Sequence, residues 1–347
     1  MHHRHPRAAV LTGIGSWLPP DTVTNADLEA VLDTDDTWIR QRTGIASRRR
    51  VAPGMATSDL AVEAGRRALA SAGPGTVDAV VLATTTPDRL CPATAPDVAT
   101  RLGLGEVAAH DVSAVCAGFL YGLASAAGLI ATGTAERVLL IAAEAFSTLI
   151  DPRDRATAVL FGDGAGAVVL RAGEPDEPGA IGPIVLGSDG RGQELLNVPA
   201  GGSRRREPTG EHPRHLRMTQ GSRVYREAVT RMTEASRTAL ERAGWRPGDV
   251  DRLVTHQANA RIGTALGEAL AIPPERRAAN IEHVGNTAGA SIPLLLDEEH
   301  RSGALTAGRR VLLAGFGAGL SWGATTLVWP LTARRPASRP AATDVVR

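Results

Sequence analysis

The chain has 347 residues and is 43% hydrophobic, enough for one large α/β unit or two fused halves. Lys plus Arg number 38 against 37 Asp plus Glu, a formal net charge of +1, which argues against a bulk nucleic-acid or membrane surface. All of those basic residues are Arg, so Schiff-base and Lys general-base chemistry are excluded, and no apolar run reaches the roughly 18–20 residues that a bilayer requires.

His2, His3 and His5 have no Cys or carboxylate at fixed spacing and read as a frayed terminus rather than a metal site. A helix is expected over 58–72, ending near Gly73-Pro74-Gly75, followed by a buried strand over 77–84. The next strand-like run, 108–112, leads into Cys116, and a small-residue helical run, 117–129, leads out. A cysteine on such a turn sees the positive end of a helix, which lowers its pKa and raises the thiolate fraction. Ala117 and Gly118 leave room for a close approach. The other cysteine, Cys91, has quite different surroundings, so no disulfide framework is expected. No secretory segment is seen, and the chain reads as cytoplasmic.

Strands follow at 137–142 and 164–170, and a Gly/Pro/acidic stretch over 173–179 marks a boundary. The segment 200–213 is the most loop-like and carries Arg204-Arg205-Arg206. It reads either as a solvated loop or as a contact for an acidic partner. The second half repeats the first: a helix over 221–243, then strands at 250–256, 310–314 and 322–328. Short apolar strands alternating with helices mean sheets buried on both faces. The expected organisation is two α/β halves, 1–175 and 176–333, with a site where they meet and a flexible tail over 334–347.

Polar residues stand where strands and loops would not need them. Beside Cys116 these are His256-Gln257-Ala258-Asn259 at a strand end, Gly285-Asn286-Thr287-Ala288-Gly289-Ala290-Ser291, and Gly315-Phe316-Gly317-Ala318-Gly319. A strand-end His is commonly structural, and an Asn in a Gly-rich turn is commonly a turn residue. Together the segments offer a nucleophile, an imidazole, an amide donor and a Gly-rich backbone, the equipment of thioester chemistry.

These residues resemble the Cys-His-Asn set of the thiolase superfamily, specifically β-ketoacyl-ACP synthase III, over about residues 8–330. Two further motifs carry the resemblance: Asp33-Thr34-Asp35-Asp36-Thr37-Trp38-Ile39 with Arg42-Thr43-Gly44-Ile45, and Phe161-Gly162-Asp163-Gly164-Ala165-Gly166-Ala167. Asn286 at the third position separates the chain from long-chain elongating enzymes, which use two His, and from thiolases, which use a second Cys. The resemblance implies an α/β thiolase-like fold, with duplicated halves forming a five-layered αβαβα core. It implies that Cys116 is acylated by an acyl-CoA, and that His256 and Asn286 support decarboxylative condensation with malonyl-ACP, in fatty-acid or polyketide initiation.

By the same resemblance the backbone N–H groups of Cys116 and Ala318 form the oxyanion hole. Thr34, Trp38, Arg42, Arg155 and Asn259 contact CoA and pantetheine, Cys91, Phe161 and Phe316 border the acyl pocket, and Arg261 meets the acidic carrier protein. No cofactor or metal, a homodimer, and neither nucleic-acid nor membrane partners are implied. Cys91 would act across the dimer interface. Two departures stand out: Ala318 replaces a more usual Gly, and Ala288-Gly289 replaces Ser-Ala. A non-decarboxylative acyltransferase, passing the acyl group to an alcohol or amine, is the alternative that the second departure keeps open.

Overall fold

A computed structural model describes residues 7–332. The expectations for His2, His3, His5 and the tail from residue 334 fall outside the described residues. The first sheet holds β1 (Ala8–Trp17), β2 (Ala79–Ala83), β3 (Ala108–Val112), β4 (Arg137–Glu144) and β5 (Gly164–Gly173). The second holds β6 (Val185–Ser188), β7 (Arg252–Thr255), β8 (Arg310–Gly317) and β9 (Ser321–Val328). Their orders are β1-β5-β4-β2-β3 and β7-β8-β9-β6.

Both sheets are mixed, and they share a pattern. β2 runs parallel to β4, which turns back antiparallel into β5; β7 runs parallel to β8, which turns back antiparallel into β9. Even a side chain is repeated. Asp78 accepts the Arg137 N–H at 2.8 Å, and Asp251 accepts the Arg310 N–H at 2.9 Å, each carboxylate sitting just before its strand.

The helices that matter for the site are α1 (Asp36–Thr43), α2 (Thr57–Ala72), α3 (Gly118–Ala131), α4 (Gly221–Arg242), α5 (Ala260–Ala269) and α6 (Ser291–Ser302). Alternate residues of the first sheet face opposite ways. Val80, Leu82, Leu139 and Ile141 pack under α2, while Val81, Leu140 and Val168 pack on α3 and α6. Across those two helices lie Val254, Val311 and Leu313 of the second sheet. Its other face, with Leu312, Ala314 and Ala324, is covered by α4 and α5. The result is five layers, helix–sheet–helix–sheet–helix, with the central strands β2, β4 and β8 buried on both faces, as their near-continuous apolar runs require. No helix among the described residues is long and apolar enough to cross a membrane.

The strands and helices expected from the sequence are present with shifted ends. Two of the shifts place functional groups. β4 runs on to Glu144, carrying a carboxylate into the interior, and β8 runs on to Gly317, bringing that glycine against the nucleophile turn.

Candidate active site

The site forms where the C-terminal ends of β3, β7 and β8 meet the loop before α6. β3 ends at Val112, a 3-10 turn spans Val115–Ala117, and α3 starts at Gly118. Val115 sits at φ 48°, left-handed backbone that a β-branched residue adopts only under strain. This sharp turn seats Cys116 at the head of α3. Gly317 packs directly on it: a methyl there would stand 2.8 Å from the Cys116 nitrogen, so only glycine fits. Ala318 follows Gly317 in the turn between β8 and β9; the Ser321 hydroxyl lies within hydrogen-bond distance of both the Ala318 and the Ala114 carbonyls.

His256 follows β7, its N–H donating to the Ala314 carbonyl at 2.9 Å. Asn286 is held by its main chain, donating to Leu160 O at 2.9 Å and accepting from Gly162 N–H at 3.0 Å. Its side-chain Oδ1 accepts the Ala288 N–H at 2.9 Å, which fixes the carboxamide and leaves Nδ2 to face the cavity. Ala288 itself stands at φ 44°, a second strained position in the site. Cys116, His256 and Asn286 are 5%, 3% and 4% exposed, and all three line one cavity of about 510 Å³.

The electrostatics correct one expectation. At the head of α3 burial works against the thiolate. Burial pushes the Cys116 thiol well up, the nearby Glu144 carboxylate adds to this, and a hydrogen bond to backbone N–H offsets only part. Helix-end stabilisation is a partial charge felt within one turn, and removal from water outweighs it here. His256 moves the other way: burial pushes it down to about 3, against a smaller opposing contribution from the Ala288 backbone. The ring is therefore neutral near pH 7 and carries one N–H. A neutral imidazole is a donor of hydrogen bonds and a poor acceptor of protons.

Trp38, Arg155 and Thr34 do not line the cavity; Trp38 is half-buried on α1, next to the cavity-lining Arg42, and has two guanidinium groups near its ring. Arg155 lies 4.8 Å and Arg42 lies 5.9 Å from its ring centroid. α1 is pinned for this: Asp35 caps it by accepting the Trp38 N–H at 2.7 Å, and Gly44 ends it at φ 79°. Arg155 donates to Asp33 O at 2.7 Å, tying its loop to the stretch that carries Thr34, whose hydroxyl oxygen is buried without a partner. Asn259 lines the cavity, and its side chain also has a structural part: Oδ1 caps α5 by accepting the Arg261 N–H, and Nδ2 donates to Arg42 O at 2.9 Å, holding Arg42 and α5 in place. Arg261 lines the cavity and stacks near Tyr225, 5.8 Å from its centroid.

Phe161 and Phe316 line the cavity beside Cys116, and Phe161 stacks on the buried Phe146 with centroids 4.5 Å apart. Cys91 does not line it: the residue is exposed, on a loop whose Leu90 is 92% exposed. The Arg204–Arg206 loop lies away from the cavity lining. Sequence reasoning missed the wall opposite the nucleophile, made by Val224, Ala228 and Met232 of α4 with Leu196 and Met218. The first three share one face at i, i+4 and i+8, a pattern that marks any buried helix face and so gave no specific signal.

Two family models match: the 3-oxoacyl-[acyl-carrier-protein] synthase III model over residues 110–190 and its C-terminal companion over 240–329. The chain is 60% identical over 329 residues to beta-ketoacyl-[acyl-carrier-protein] synthase III 3 of Streptomyces coelicolor, covering 93% of this chain and 98% of that one. The crystal structure of 3-oxoacyl-(acyl carrier protein) synthase III from Pseudomonas aeruginosa PAO1 superposes with a TM-score of 0.89 at 48% identity, over 94% of this chain and all of that one. The priming beta-ketosynthase of a polyketide biosynthetic pathway also gives 0.89, at 38% identity, over 96% of this chain and 99% of that one.

Proposed function

The chain belongs to the 3-oxoacyl-[acyl-carrier-protein] synthase III family of condensing acyltransferases, and from that premise and the cavity geometry we propose how its residues divide the work. Cys116 attacks an acyl-CoA thioester and retains the acyl group; the C–S bond to CoA breaks, and CoA leaves as its thiol with the proton that Cys116 gives up. Trp38 and Arg155, next to the cavity-lining Arg42, take the nucleotide end; an indole and a planar guanidinium suit a purine face and its phosphates. Malonyl-ACP then enters the same cavity, with Arg261 at the mouth facing the acidic carrier protein.

Asn286 Nδ2 and the His256 N–H donate to the malonyl thioester oxygen. They stabilise the enolate formed as CO2 departs; the carbanion attacks the acyl-Cys carbonyl, the C–S bond to Cys116 breaks as the intermediate collapses, and Cys116 leaves as a thiolate that regains a proton from solvent. The backbone N–H groups of Cys116 and Ala318 receive the oxyanion formed there. The observation that carries this reading is the pair of neutral donors: a carboxamide locked by Ala288 and an imidazole kept uncharged by burial. Preorganised donors in a water-poor site are worth more than in water and need no reorganisation during the reaction.

One relative is the priming ketosynthase of a polyketide pathway, and initiation of fatty-acid or polyketide chains is the setting we assign to this chemistry. Homodimerisation through the exposed edge strand β3 and the Leu90-Cys91 loop suits the open edge of the first sheet and would carry Cys91 to a partner's acyl pocket. The test is acylation of Cys116 by acyl-CoA followed by discharge with malonyl-ACP. A bound acyl group that malonyl-ACP leaves in place sinks the reading.

A further inference from the structure

Glu144 ends β4 fully buried, and the chemistry above gives it nothing to do. A buried carboxylate is costly unless its oxygens are satisfied. Here every group that satisfies it is uncharged. Oε2 accepts the Thr85 N–H at 3.0 Å and the Thr86 hydroxyl at 3.2 Å; Oε1 accepts the Thr85 hydroxyl at 3.1 Å. The Gly289 N–H adds a further hydrogen bond.

The carboxylate stands behind the nucleophile. A methyl on Gly289 would lie 3.0 Å from Glu144 Oε1 and 3.0 Å from the Val115 carbonyl oxygen. The carboxylate, the residue before Cys116 and the Asn286 loop thus meet at one bare glycine, one of the residues that depart from the family pattern. The neighbouring ionisable groups are committed elsewhere or neutral. Asp111 on β3 faces the Thr94 and Ala95 amides, Asp163 faces Ser147 and the Val51 amide, and His256 is uncharged. Cys116 is the ionisable group on which the Glu144 charge acts.

We propose that Glu144 is a positioning residue for the nucleophile: it ties Thr85, Thr86 and the Gly289 amide behind the Cys116 turn, and its negative charge sets how readily Cys116 ionises. A like charge nearby disfavours a second anion, so a proton on Glu144 favours the thiolate. The two groups behave as a coupled pair. Burial raises Glu144 to about 7, which puts its own titration inside the working pH range.

This inference rests on Cys116 being the acylated nucleophile, and its test uses the full chain. Alkylation of Cys116 by iodoacetamide, an uncharged reagent, is followed by peptide mapping from pH 5.5 to 9 in wild type, Glu144→Gln and Glu144→Asp. Below pH 7 wild-type Glu144 holds a proton, so Glu144→Gln and wild type react alike. Above pH 7 the wild-type carboxylate ionises, and Glu144→Gln becomes faster by about tenfold, one unit of thiol pKa. Glu144→Asp keeps the charge and follows wild type.

A Glu144→Gln to wild-type ratio that is the same at every pH reports packing alone and overturns the proposal, as does a ratio of one throughout. If Glu144→Gln fails to fold by circular dichroism, Thr85→Val replaces it. Losing one donor to the carboxylate raises the Glu144 pKa, so the pH at which this variant departs from wild type moves upward; an unmoved profile overturns the proposal. Failure of wild-type Cys116 to take an acyl group from acyl-CoA would instead sink the nucleophile assignment and leave the alkylation profiles to judge Glu144.

Discussion

Removing the Asn286 carboxamide isolates the enolate-stabilising step from the acylation step. The loop carrying it is held by main-chain bonds to Leu160 and Gly162, at 2.9 and 3.0 Å, which an alanine leaves intact. Asn286→Ala therefore deletes one of two donors and keeps both main-chain anchors, although it frees the Ala288 N–H. Loss of one such donor typically costs about 2.7–4 kcal/mol, or roughly 10²–10³ in rate. Condensation with malonyl-ACP should fall by that factor, while acylation of Cys116 by acyl-CoA stays within a few-fold of wild type. Asn286→Asp sharpens the comparison. Its Oδ1 still accepts the Ala288 N–H, but the second oxygen puts an acceptor where a donor is needed, so this variant should be slower than Asn286→Ala. The assay is single-turnover acylation followed by intact mass, then CO2 release and β-ketoacyl-ACP formation on adding malonyl-ACP. Condensation by Asn286→Ala at more than a tenth of the wild-type rate would refute the role given to the carboxamide.

Other expectations follow from the same geometry. Enzyme already acylated on Cys116 should decarboxylate malonyl-ACP at a rate that does not fall through a midpoint near pH 6.5, because His256 is neutral down to about 3; a stopped-flow pH series from 5.5 to 8 checks this. The same burial affects stability with a definite sign: a depressed folded-state pKa gives a contribution complete above about pH 6.5, the unfolded value, and lost as pH falls towards 3. The acid side of a wild-type melting series should accordingly be steeper than that of His256→Asn. Trp38→Ala should raise KM for acyl-CoA by a factor of about 2–5, the worth of about 0.5–1 kcal/mol of guanidinium–indole contact, and leave KM for a pantetheine-only thioester unchanged. Gly317→Ala puts a methyl 2.8 Å from the Cys116 nitrogen and should abolish acylation while circular dichroism stays native.

The layered fold was legible because the central strands β2, β4 and β8 are buried on both faces and so read as apolar runs, and Asp78 before β2 is repeated as Asp251 before β7. Cys116, His256 and Asn286 were legible because each is a polar residue at a strand end or in a small-residue turn where packing does not call for one. The charge state of Cys116 was not. A helix N-terminus is visible in a sequence, but the depth at which the thiol is buried and the carboxylate behind it come only from folding. Glu144 was invisible for a related reason: its strand reads as ending two residues earlier, and nothing local says that its charge faces inward. Cys91, grouped with the acyl pocket by resemblance, stands on the surface of this chain and does not line its cavity.

The most direct measurement is intact-protein mass spectrometry with peptide mapping. The protein is incubated with a panel of acyl-CoAs and then with malonyl-ACP. The account predicts one acyl group per chain, mapped to Cys116, which malonyl-ACP removes with release of one CO2 and formation of β-ketoacyl-ACP. An acyl group mapped to another residue, or one that stays on Cys116 after malonyl-ACP is added, contradicts it.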